Sequence, residues 1–146
     1  MAVSGLPEFT ESHPVNMARY AHEVMIQMHK IVKQLEVALG PETADLALRI
    51  GIHSGPVTAG VLRGEKSRFQ LFGDTVNTAS RMEGTSSRNR IQVSSDTAAL
   101  LEKAGKTHWL VAREDLVPVK GKGDMKTYWL VIEDFLSSES GLTSPT

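Results

Sequence analysis

The sequence predicts an α+β domain: a mostly antiparallel sheet with helices on one face. Three observations carry this. One long segment has helical apolar spacing, several short runs alternate apolar with polar residues, and glycine or proline breaks separate them. Ala2 and Val3 read as the end of a strand, followed by a loop through Gly5 and Pro7 to His13. From Asn16 to Leu39 a core-facing stripe runs through Met17, Tyr20, Ala21, Val24, Met28, Ile31, Val32, Leu35 and Leu39, and Gly40 and Pro41 end it. Leu48, Ile50 and Ile52, then Val57, Ala59 and Val61, alternate about Ser54 and Gly55. They predict an antiparallel pair with both apolar sets on one face. A charged, glycine-bearing loop, Arg63 to Gln70, leads to a helix over Asp74 to Glu83, with Gly84 as its stop. Ile91 to Ser94 is a short strand, and Ser95 or Asp96 caps a helix carrying Leu100, Leu101 and Ala104 that Gly105 ends. Trp109 to Val119 and Lys126 to Ile132 flank KGKGD, residues 120–124, as a hairpin.

Composition narrows the function classes. The chain has 146 residues and 40% hydrophobic content, enough for one core. A formal net charge of -1 supplies no global field for nucleic acid or an anionic membrane surface, so anion binding has to be local. With no cysteine there is neither a disulfide, a thiolate metal site nor a cysteine nucleophile, which is compatible with a reducing compartment. No apolar run is long enough to span a bilayer, and MAVSGLPEF lacks the basic and apolar regions of a signal peptide. The domain is expected over residues 1–136, and the polar SSESGLTSPT, residues 137–146, as a disordered tail.

The segment FGDTVNTASRME, residues 72–83, places Asn77 and Arg81 one helical turn apart on the same flank. A carboxamide beside a forked, permanently charged guanidinium suits a sugar oxygen next to a phosphate. The alternative is a wet helix surface with Arg81 paired to Glu83 or to solvent. KGKGD offers a second anion site, because its glycines permit close backbone approach and Lys120 and Lys122 bring compact charges; alternatively it is a solvated turn. RGEKS, residues 63–67, lacks the spacing of a phosphate loop, and His22 and His29 are seven apart rather than four, so neither a P-loop nor a zinc helix is expected. The two histidines read as solvent-facing, Met25 and Met28 as core filler, and His53 as a structural hydrogen-bonding residue.

VSGLP, LRIGIHSGPVTAGV, FGDTVNTASRME, IQVSSDT and VKGKGDMKTYWL together resemble the catalytic domain of the class III nucleotidyl cyclases, the adenylyl and guanylyl cyclases, in order and spacing from Val3 to Val131. The resemblance implies a ferredoxin-like cyclase fold and attack of a ribose 3'-hydroxyl on the α-phosphate, giving a 3',5'-cyclic nucleotide and pyrophosphate. By position, Asn77 matches the residue that orients the ribose, Arg81 the one that stabilises charge at the α-phosphate, Lys120 the lysine on the terminal phosphates, and Gln70 a purine-reading residue. GTP is favoured over ATP from the wording of the helix segment, although a glutamine carboxamide suits either base.

The family's two metal-binding aspartates lie on earlier strands with no counterpart here, so the fold is expected to lack its N-terminal strands and helices. The Mg or Mn ligands of the complete enzyme are then absent from this chain, and no metal ligand is assigned in it. The chain is expected to be inactive alone and to need a second cyclase domain. The absent central strand leaves its neighbours open to intermolecular pairing or strand swapping, so self-association is expected. The resemblance also implies a cytoplasmic domain without direct membrane contact, whether or not the parent protein is anchored. A noncatalytic dimerisation or regulatory module derived from such a domain is the other reading. An RNA-binding sheet is disfavoured by the neutral charge and an aromatic content of 5%.

Overall fold

The computed structural model describes residues 1–62 and 68–132; the side chains of residues 62 and 68–70 lie outside the described set. Eleven elements follow one another: α1 (His13–Leu39), β1 (Arg49–Ile52), β2 (Thr58–Leu62), β3 (Arg68–Phe72), α2 (Asp74–Gly84), β4 (Arg90–Ser94), α3 (Ser95–Lys103), β5 (Leu110–Ala112), β6 (Val117–Val119), β7 (Gly123–Met125) and β8 (Thr127–Leu130). Short 3-10 turns at Pro41–Asp45 and Thr107–Trp109 join them. The fold class is α+β, as expected. Residues 63–67 of the loop expected over Arg63 to Gln70, which are the RGEKS segment, and the tail over 137–146 lie outside the described residues.

The central sheet has the order β1-β4-β8-β5. Its alternation sorts the side chains cleanly. Ile50, Ile52, Ile91, Val93, Leu110, Tyr128 and Leu130 pack on one face with Ala18, Ala21 and Met25 of α1 and Ala98 and Leu101 of α3. Gly51 and Gln92, register partners between β1 and β4, face the other way, toward α2. Helices therefore cover both faces of the sheet, not one. The reason is that β1 and β4 are apolar at alternate positions only, while the other face carries a glycine and a glutamine shaped to receive a helix backbone.

Pairing differs from the expected hairpins. β1 pairs in parallel with β4, and β2 pairs antiparallel with β3, so Leu48–His53 and Val57–Val61 do not form one ladder. Their connection is committed elsewhere: Thr75 Oγ1 donates to the Pro56 carbonyl at 2.6 Å, and a Cβ on Gly55 would sit 2.5 Å from Thr75 Oγ1. The expected loop ending at Gln70 is a strand from Arg68 onward. The last two runs also divide. β5 pairs with β8, while β6 and β7 make a separate hairpin closed by Lys122 N donating to the Val119 carbonyl at 2.9 Å. Gly121 and Gly123, at φ 84° and 72°, supply the left-handed positions that this turn needs. Ala2 and Val3 form no strand, because no described strand lies beside them to complete a ladder.

In α1 the buried stripe runs through Ala18, Ala21, Met25 and Val32, while Tyr20, Ile31 and Leu39 of the expected stripe are exposed. The helix meets the sheet with its smaller residues because alanines allow closer approach. The ends of α3 sit slightly outside the expected caps: Ser94 is the N-cap, and Gly105 at φ 79° follows the C-cap Ala104. His22 is half-buried rather than solvent-facing, with Nε2 enclosed and without a hydrogen-bond partner among the described residues, whereas His29 is exposed.

Gly51 sets the height of α2. A Cβ there would fall on the backbone at Met82 and Glu83, where no rotamer can relieve the overlap. Gly51→Ala is therefore expected to destabilise the fold by about 1–3 kcal/mol or more, seen as a lowered urea midpoint. Gly60→Ala has open space at its Cβ and serves as the control.

Candidate active site

Helix α2 is amphipathic in two steps. Thr78 and Met82, four apart, are buried, and Asn77 and Arg81 share the adjoining flank. Asn77 is exposed and Arg81 half-buried. Both line one recess of about 380 Å³ with Ser80, Gly84, Thr85 and Pro118. Pro118 belongs to β6, so the strand that leads into KGKGD forms a wall of the recess. The hairpin is held there by an apolar contact, because Val117, Val119 and Met125 cluster with Met82 of α2.

The two lysines of KGKGD separate in role. Lys122 Nζ lies 2.7 Å from Asp74 Oδ2 and ties the turn to the start of α2. That hydrogen bond is the first cause of a lowered Asp74 pKa; the pair is exposed, so its effect is local registration of the hairpin rather than bulk stability. Lys120 is exposed and has no such bond among the described residues, which leaves its ammonium available to a ligand. The pairing of Arg81 with Glu83 does not occur. Glu83 instead binds Arg49, with Arg49 Nη2 at 3.0 Å and Nε donating at 3.2 Å. Among the described residues the Arg81 guanidinium makes no ion pair. Gln70 stands opposite Gly60 in the β2–β3 ladder, and its side chain is outside the described set.

A buried polar cluster supports α2 from beneath, and sequence reasoning missed it. Gln92, fully buried on β4, donates from Nε2 to the Met82 carbonyl at 2.9 Å and to Thr85 Oγ1 at 2.8 Å. Its Oε1 accepts from Arg113 Nη1 at 2.6 Å and Thr127 Oγ1 at 3.0 Å. The one signal in the sequence was a glutamine inside the apolar run IQVS.

Family membership follows from comparison with known proteins. A family model described as the adenylate and guanylate cyclase catalytic domain matches residues 1–132. The chain belongs to this family. Guanylate cyclase 32E of Drosophila melanogaster is 44% identical over 133 residues, covering 89% of this chain and 11% of that protein. Atrial natriuretic peptide receptor 2 of Homo sapiens is 44% identical over 134 residues, or 91% of this chain and 12% of that protein. Among solved structures, the guanylate cyclase domain of RhGC from Catenaria anguillulae, in complex with GTP, is 36% identical with a TM-score of 0.67, covering 88% of this chain and 64% of that one. This cyclase chain thus spans a small part of its curated relatives and just under two thirds of the solved domain.

Cyclases generally use divalent metal ions. The donors lining this recess are an amide, a guanidinium and hydroxyls; Lys120 lies on the adjoining hairpin and is not among the lining residues. That set fits sugar and phosphate oxygens, whereas Mg²⁺ requires carboxylate and other oxygen ligands. Among the described residues no three His, Asp or Glu side chains cluster to hold a metal. No step is therefore derived through a metal bound by these residues. No helix in the described residues is long and apolar enough to cross a membrane.

His53 has the structural role expected of it. Its Nδ1 lies 2.7 Å from Ser94 Oγ, and Ser54 Oγ lies 2.8 Å from Thr97 Oγ1, which joins β1 and its loop to the start of α3. Burial holds the His53 pKa below the ordinary 6.5, with Asp96 pulling it up, Lys122 pushing it down and Asp74 pulling it up. A depressed histidine is fully stabilising above its unfolded pKa and loses that contribution as pH falls toward the folded value. The thermal midpoint is expected to drop between about pH 7.5 and 5.5, and His53→Gln to flatten that dependence.

Proposed function

We propose that the chain is the nucleotide-gripping part of a purine nucleotidyl cyclase, with GTP favoured over ATP. The observation that carries this reading is the shared recess of Asn77 and Arg81, walled by the strand of the lysine hairpin. Asn77 orients the ribose by donating to and accepting from its oxygens. Arg81, a fixed cation without a competing ion pair among the described residues, stabilises the negative charge that builds on the α-phosphate as the 3'-oxygen bonds to phosphorus and the bond to pyrophosphate breaks. Lys120 holds the terminal phosphates, and Gln70 reads the purine edge. The comparison protein crystallised with GTP supports the base preference.

Metal-binding carboxylates come from elsewhere in this proposal: two aspartates that hold Mg²⁺ or Mn²⁺, on a second cyclase domain, complete the site. Mixed with a cyclase domain that retains its metal aspartates but whose own arginine counterpart is removed, the chain should restore cyclic GTP formation, and Arg81→Ala should lower turnover by about 100 to 1000-fold. Nucleotide binding without restored turnover would favour the noncatalytic module.

The partner also has a place to pair. Among the described residues β1 has a ladder neighbour on one side only, and beside it lies a cleft of about 960 Å³ lined by the N-terminal segment, α1, β1 and part of α2. Met1, Val3, Leu6 and Phe9 leave apolar surface open around this cleft. An unpaired edge beside apolar surface recruits a further strand. Light scattering is expected to show association that increases with concentration; a stable monomer at high concentration counts against it.

A further inference from the structure

We propose that Gln92 is the positioning residue of Arg81, acting through the last turn of α2; this rests on the reading of the recess given above. The final carbonyls of a helix lack intrahelical donors and must be satisfied from outside. In α2 the outside donors come mainly from one network. Thr85 donates from both N and Oγ1 to the Arg81 carbonyl, at 3.0 and 2.7 Å. Gln92 Nε2 donates to the Met82 carbonyl and to that same Thr85 Oγ1. The hydroxyl is thus held from β4 while it holds the backbone of Arg81.

The carboxamide orientation is determined by its partners. Met82 offers only an acceptor and Arg113 only donors, so the amide nitrogen must face α2 and the oxygen must face Arg113. All four hydrogen-bonding positions of Gln92 are filled, in a fully buried setting where an unfilled one is costly. Arg113 closes the frame by donating from Nη1 to the Thr85 carbonyl at 2.9 Å while Nε binds Asp115 at 3.0 Å. One face of α2 rests on Gly51 and its last turn is gripped by Gln92, so the guanidinium of Arg81 leaves a backbone fixed in height and rotation.

The test separates positioning from general stability. Hydrogen exchange at the Thr85 amide, whose bond ends on Arg81, is compared with that of Val93 in the core of β4, in wild type, Gln92→Leu and Thr85→Val. Positioning predicts exchange raised about tenfold or more at Thr85 with little change at Val93. Equal acceleration at both overturns the proposal, as does no change at Thr85. Thr85→Val removes the hydroxyl relay while leaving the Gln92 contact with Met82, and keeps the test decisive if Gln92→Leu does not fold.

A second arm uses a fluorescent N-methylanthraniloyl GTP. Gln92→Leu is expected to weaken its binding about tenfold, and the Gln92→Leu, Arg81→Ala double variant to bind no more weakly than Arg81→Ala alone. Losses that multiply overturn the proposal. If the wild-type chain binds no nucleotide while the Thr85 amide alone loosens in the variants, the positioning role stands and the reading of the recess as a nucleotide site fails.

Discussion

The contact on which the rest depends is the approach of the α2 backbone to Gly51. A helix packed on a sheet normally stands off by the length of its side chains and those beneath it. Here the absence of a Cβ lets Met82 and Glu83 lie against the strand itself. The same spacing recurs at the other end, where Gly55 accommodates Thr75 and the Pro56 carbonyl receives its hydroxyl. The two glycines of GIHSG are therefore seats for the two ends of one helix. Once α2 is seated, Met82 is buried, the β6–β7 hairpin packs on it, and Pro118 comes to face Asn77 and Arg81.

The sheet is two-sided for a chemical reason. Its α1 and α3 face is hydrocarbon and drives folding by burial. Its α2 face is polar at the centre, where Gln92, Thr85, Thr127 and Arg113 satisfy one another. Such a network adds little to stability over a packed apolar one, but its directional bonds specify a single arrangement. Trp129, flanked at 4.8 and 4.9 Å by the guanidiniums of Arg90 and Arg113, covers the same face from β8. Directional support lies under α2 and nondirectional burial on the side away from it.

Charge is allocated with the same economy. Glu83 is occupied by Arg49, and Asp74 by Lys122. The carboxylate nearest Arg81 along the sequence is thereby engaged, and among the described residues neither Arg81 nor Lys120 makes an ion pair. A neutral chain can in this way present a locally cationic recess without a basic surface.

Much of this was legible in the residues. The helical flank shared by Asn77 and Arg81 follows from four-residue spacing, the long helix from its apolar stripe, and the lysine turn from its glycines; these are local consequences of backbone geometry and were read correctly. The motif order further identified the family. What the sequence alone could not determine is non-local. Alternation in Leu48–Val61 is compatible with a hairpin or with two separate ladders, and the choice depends on α2 occupying Gly51 and taking the Pro56 carbonyl. The partner of Glu83, the division of labour between Lys120 and Lys122, and the role of a glutamine in an apolar strand depend likewise on which groups folding brings within hydrogen-bond reach. Sequence determined the elements and the chemistry they carry, because these follow from a few neighbouring residues. Tertiary structure decided their pairing and support, because only packing makes residues forty positions apart compete for the same donor.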